Sequence, residues 1–185
     1  MRTAISAFAF VLSVTAPAVQ AITAQCYNGI HAVAADQAFV QPLADACLNS
    51  LPSDDKSGLW SSKLCVAAGV AAGIEQLNDY AYCFTNATVP SPAQFGSLDY
   101  GVYAAIVGGC AYAPDGCPVS EQNFVDLVYG AISGAGLATY PPDSGYFVQH
   151  YLAPIFAWTN FSAEEGVPYL NFNDWLHYSG YTSHA

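Results

Sequence analysis

Six cysteines, Cys26, Cys47, Cys65, Cys83, Cys110 and Cys117, constrain this chain more than any other feature, because each must find a partner or stand as a thiol. The compartment decides between those fates. Arg2 is followed by an apolar run from Ala4 to Val14 and then by small residues ending Val19-Gln20-Ala21, the order of a secretory signal peptide. That run is shorter than the about 20 residues that span a bilayer. Residues 1–21 therefore read as a leader and residues 22–185 as one secreted, extracellular domain. An even cysteine count in an exported chain predicts disulfides and no spare nucleophilic thiol. The sequons at Asn86 and Asn160 fit the same compartment and mark surface positions for glycosylation.

The pairing follows from the helices. Residues 34–51 carry a helical pattern that Pro42 must restart or kink, and residues 61–80 read as one helix, apolar almost all round and so central. Within it Gly69 and Gly73 form a small-residue face that lets a neighbouring backbone approach. On a continuous helix Cys65 and Cys83 lie roughly 27 Å apart, and a disulfide needs Cα atoms within about 7 Å. They are not partners. An antiparallel hairpin of these two helices brings Cys47 to Cys65 at one end and Cys26 to Cys83 at the other, while the turn Pro114-Asp115-Gly116 closes a local Cys110–Cys117 bridge.

Further along, Ser120 caps a helix carrying Phe124, Leu127, Val128, Ala131 and Ile132. Residues 97–108 fit either a helix capped by Ser97 or a buried strand. Asp143 or Ser144 starts a helix interrupted near Pro154, and Asn171 or Asn173 caps a last short helix. The fold class is mainly α: a single disulfide-stapled helical domain, with room for a short β element.

Charge narrows function by exclusion. Without the leader, Lys56 and Lys63 stand against 14 carboxylates, a net charge of −12 with histidines neutral. Nucleic-acid binding draws on cations that displace phosphate counterions, so no nucleic-acid partner is expected. No later segment has the length of a membrane span, and no membrane partner is expected either.

Chemistry concentrates in Asn171-Phe-Asn-Asp-Trp-Leu-His-Tyr178. On a helix Asp174 reaches His177 or Tyr178, and an Asp–His pair is part of a hydrolytic set, yet no Gly-x-Ser-x-Gly elbow supplies a nucleophile. His150 could join His177 and a carboxylate around a metal, but no ligand spacing such as His-Glu-x-x-His supports a metal or any other cofactor. His31 and His184 read as solvated. The carboxylate pairs Asp54-Asp55 and Glu164-Glu165 read as solvated turns, the second joined to Ser162 in a capping box. The simplest role for the stretch is to dock the terminal helix. Its rings and amides, Trp175, Tyr178 and Asn173, with Tyr151, are the candidate ligand-binding residues.

Cys26-Tyr-Asn-Gly29, the loop from Gly108-Gly-Cys110 to Cys117, Ser120-Glu-Gln-Asn-Phe-Val-Asp126 and the closing Asn171–Tyr178 stretch together resemble the small secreted cysteine-containing proteins of mushroom-forming fungi. The resemblance covers most of the chain and implies an exported fungal protein acting at the wall or on a neighbouring organism; it brings no catalytic residue. The expected function is non-enzymatic binding of a glycan or an extracellular protein. The alternative is a small acidic hydrolase acting on glycans, metal-assisted, with Asp174, His177 and His150 as its residues.

Overall fold

The computed structural model describes residues 23–85, 88–114 and 116–180, and among these the chain is mainly helical. The leader 1–21, the sequon residue Asn86, the turn residue Asp115 and His184 lie outside the described residues.

Helix α1 (Ala24–Ala35) starts at Thr23, whose hydroxyl accepts the Cys26 N–H at 3.1 Å. Helix α2 (Val40–Ser50) carries Pro42 in its first turn, where the missing N–H costs nothing, so Pro42 starts a new segment as its chemistry requires. The expected helix over 34–51 is thus the end of α1, a turn and α2. Lys56 is 3% exposed and donates from Nζ to the carbonyls of Leu48 and Leu51, filling acceptors that the end of α2 leaves open.

The expected single helix over 61–80 is broken. Helix α3 (Lys63–Ala72) and helix α4 (Ile74–Ala81) meet at Gly73, whose φ of 86° is open to glycine and ends the α3 ladder. Every residue of α3 from Cys65 to Ala72 is buried, as its all-round apolar character dictates. Gly69 admits the Trp60 ring and the Ile74 side chain, and not a neighbouring backbone as expected. The close backbone approach is at Gly29, where α1 crosses α4 over Tyr80.

Packing follows: α1 lies on α4, α2 on α3, and α3 on helix α6 (Glu121–Gly134). Both α1–α4 and α2–α3 end at a disulfide, Cys26–Cys83 (Cα–Cα 4.9 Å) and Cys47–Cys65 (4.8 Å). Cys110–Cys117 closes the local loop at 5.6 Å. These are the three expected pairs, although the expected continuous helix separating Cys65 from Cys83 is two helices. The hairpin works because each of its two arms is itself a pair of shorter helices.

Residues 97–108 resolve as helix α5 (Tyr100–Val107), capped by Asp99 in place of Ser97. Helix α6 has the predicted Ser120 cap, with Asn123 completing the reciprocal box. Asp143 caps helix α7 (Ser144–Phe147), which runs through a π-helical turn (Val148–Leu152) into helix α8 (Ala153–Thr159). Helix α9 (Tyr169–Tyr178) begins after Pro168, not behind Asn171 or Asn173. The expected short β element is absent as a strand among the described residues; Val119 and Val167 form only an isolated antiparallel bridge, at 2.8 and 2.9 Å.

Candidate functional site

The α9 stretch docks. Phe172, Trp175 and Leu176 recur at the spacing of one helix face and are fully buried, and Phe124 meets Phe172 edge-on at 5.1 Å. Trp175 and Tyr151, both 0% exposed, are core residues and not a binding surface. Tyr151 donates its hydroxyl to Asp36 at 2.7 Å, and burial with that carboxylate pushes its pKa well up. Asn173 lies within the helix and accepts the Leu98 N–H at 2.8 Å. Only Tyr178 of the four sits open, edging a hollow of about 220 Å³ beside Glu75 and Pro92.

The expected Asp174–His177 pair does not form among the described residues. His177 is buried and its ring faces main-chain carbonyls: Nδ1 lies 2.6 Å from Asn173 O, and Nε2 lies 3.1 Å from Gly96 O. The helical i−4 carbonyl captures the ring before the exposed Asp174 can. His150, on the π-helical turn, meets the Tyr146 ring in a tilted contact at 4.3 Å. Among the described residues no group of three His, Cys, Asp or Glu side chains gathers to hold a metal ion.

A different set of rings forms a cleft. Tyr100 and Tyr103 from α5, Tyr169 from α9, Phe161, and the prolines Pro114, Pro118 and Pro168 enclose about 490 Å³. Tyr103 meets Tyr169 at 4.9 Å, Tyr100 meets Tyr169 at 5.3 Å, and both contacts are edge-on. Tyr112, 71% exposed, extends the cluster outward at 5.8 Å from Tyr100. Each phenol of the inner three is anchored to a carbonyl: Tyr100 to Ala111, Tyr103 to Cys117 and Tyr169 to Leu98. Burial raises the pKa of Tyr103 and of Tyr169, with Tyr100 adding to both and Asp99 to Tyr169, so these hydroxyls stay neutral donors.

Two loops form the walls. One is the disulfide loop 110–117, and the other runs from Phe161 to Pro168; the Val119–Val167 bridge joins them at the base. Gly166, at φ 70°, passes so close to the Pro118–Val119 segment that a Cβ there would stand 2.9 Å from Val119 O. Glu165 is the carboxylate among the described lining residues. It accepts the Ser162 N–H at 3.0 Å and the Ser162 hydroxyl at 2.8 Å, and these bonds hold its pKa below the usual carboxylate value.

Comparison with protein-family models, curated proteins and solved structures returns no match. The cleft therefore stands on its chemistry: fixed aromatic walls, neutral phenols, the Asn171 amide and one ionised acid. Sequence reasoning missed it because its residues come from three separated segments. The available signal was the tyrosine spacing in 100–112 beside the short disulfide loop, next to which Tyr169 had to land once α9 docked.

Proposed function

We propose that this chain is an exported, non-enzymatic binding protein that takes a neutral glycan into the tyrosine cleft. The carrying observation is the set of three rings held by their own hydroxyls around an open volume of about 490 Å³. Such rings give an apolar face to the C–H side of a sugar, and binding does not cost them conformational freedom. Asn171 and Glu165 offer hydrogen-bond partners at the rim. An exported chain with a net charge of −12 repels anions, which favours an uncharged ligand. Glu165 is held as a carboxylate, the state of an acceptor; a glycosidase acid instead needs a raised pKa. The signal-like leader, the disulfides and the resemblance to small secreted fungal proteins support action at a cell wall or host surface.

The test is titration of neutral oligosaccharides into the protein and into Tyr100→Ala and Leu170→Ala variants, with product analysis alongside. Tyr100 is 43% and Leu170 70% exposed, so both variants should fold. Loss of a ring face should weaken binding about tenfold, equivalent to about 1.4 kcal/mol. Capture of a protein and not of any glycan, or turnover of the oligosaccharide, would overturn the proposal.

A further inference from the structure

The sequon Asn160-Phe161-Ser162 is also part of the cleft. Phe161 lines it, and Ser162 is the residue that fixes Glu165 on its rim. Asn160 precedes Phe161 directly, so its Cα lies about 3.8 Å from that of a lining residue. It caps the C-terminus of α8 in the left-handed conformation, φ 59° and ψ 36°, with its N–H donated to Phe156 O. The position is exposed, and Trp158, two residues before it, is 41% exposed. Asn160 therefore stands in the chain between the exposed indole of Trp158 and the lining residue Phe161.

We propose that Asn160 carries an N-linked glycan whose core sugars screen the mouth of the tyrosine cleft, so that glycosylation sets access to it. The ligand class is the N-acetylglucosamine core of the chain's own glycan. The donor is a polyprenyl-pyrophosphate oligosaccharide. The Asn160 amide nitrogen bonds to the anomeric carbon of the first N-acetylglucosamine and loses one proton. The bond from that carbon to the pyrophosphate oxygen breaks, and polyprenyl pyrophosphate leaves with the electron pair. Nothing is oxidised or reduced. An N-acetylglucosamine has the apolar face and acetamide that exposed rings accept, and its attachment is bulky and solubilising at a surface that otherwise shows Trp158, Tyr112 and Leu170 to water.

This inference rests on the cleft described above, and its test is built to fail separately from the glycan-binding proposal. The full chain is secreted from a eukaryotic host, and its peptides are mapped by mass before and after treatment with an N-glycosidase. Occupied Asn160 is the expected result; a bare Asn160 in the exported protein overturns the inference. Hydroxyl-radical footprinting then compares the glycosylated protein with Asn160→Asp and Asn160→Gly, both compatible with a left-handed backbone. Oxidation of Tyr100 and Leu170 should rise severalfold in both variants while that of Tyr27, on α1, stays constant. Equal oxidation with and without the glycan overturns the screening role. If neither form binds a free oligosaccharide, the function proposed above falls, while protection of Tyr100 and Leu170 still upholds the placement of the glycan.

Discussion

Replacing Gly29 by alanine is the sharpest test of how the helices meet. In most exposed helix interiors this change stabilises, by roughly 0.5–1 kcal/mol, because glycine loses more backbone freedom on folding. At Gly29 the added Cβ would stand 2.3 Å from Tyr80 N and 2.4 Å from Tyr80 Cα, where ordinary contact begins at 3.4 Å. The obstacle is backbone, so α1 and α4 must separate by roughly 1 Å over their whole contact, against the Cys26–Cys83 tether and the dense packing of the core. Overpacking of this kind costs about 1–3 kcal/mol, and a backbone obstacle belongs at the upper end. Net destabilisation should be about 2–3 kcal/mol, which lowers Tm by roughly 4–12 °C for a chain of this size. Gly130, exposed within α6, is the internal control: its Cβ meets nothing within 4 Å, and Gly130→Ala should raise Tm by a few degrees. Thermal unfolding followed by circular dichroism reads both. An unchanged or raised Tm for Gly29→Ala would show that the α1–α4 crossing is looser than described.

Tyr80, hydrogen-bonded to Asp45 at 2.6 Å, has its pKa pushed up to about 12, first by burial and then by that bond. A folded pKa above the unfolded value means stability present below pH 10 and lost as pH rises through about 12; Tyr80→Phe should flatten that part of the pH–stability curve. Limited reduction should open Cys110–Cys117 first, since Cys110 is exposed while Cys47 and Cys65 are buried, and alkylation mapping would show another order if the burial is wrong. Loss of that short loop should cost roughly 2.5 kcal/mol against roughly 4 for Cys26–Cys83, and it alone should disturb cleft binding. His177→Ala should lower Tm by removing a buried ring that meets the carbonyls of Asn173 and Gly96, and leave oligosaccharide binding intact; a collapse of binding with an unchanged Tm would contradict its packing role.

Local chemistry was legible where one residue type dictates one conformation. Ser120 and Asp143 cap because a short polar side chain reaches an orphan N–H, and the cysteine pairs match an antiparallel hairpin with a local turn. The break at Gly73 was hidden because a lone glycine is tolerated inside a helical pattern, although the chain turns from wholly apolar to amphipathic from Glu75 onward. Trp175 and Tyr151 were legible as rings but not as buried ones: a sequence gives the spacing of a face without saying which partner covers it. His177 was misread for a related reason. Its carbonyl partners belong to every residue, so the sequence pointed to the nearest carboxylate. The cleft required tertiary placement of α5, two loops and α9, which no local pattern encodes.

The Val119–Val167 bridge has a consequence for how such a site could diverge. Both walls are joined by one reciprocal pair of backbone hydrogen bonds, which belong to the main chain and not to any particular side chain. The join between the walls is therefore independent of the side chains at Phe161 and Leu170, as long as Gly166 keeps its place. Substitution at Phe161 or Leu170 would alter what the opening accepts while the bridge keeps its span, so new specificities lie a single residue away.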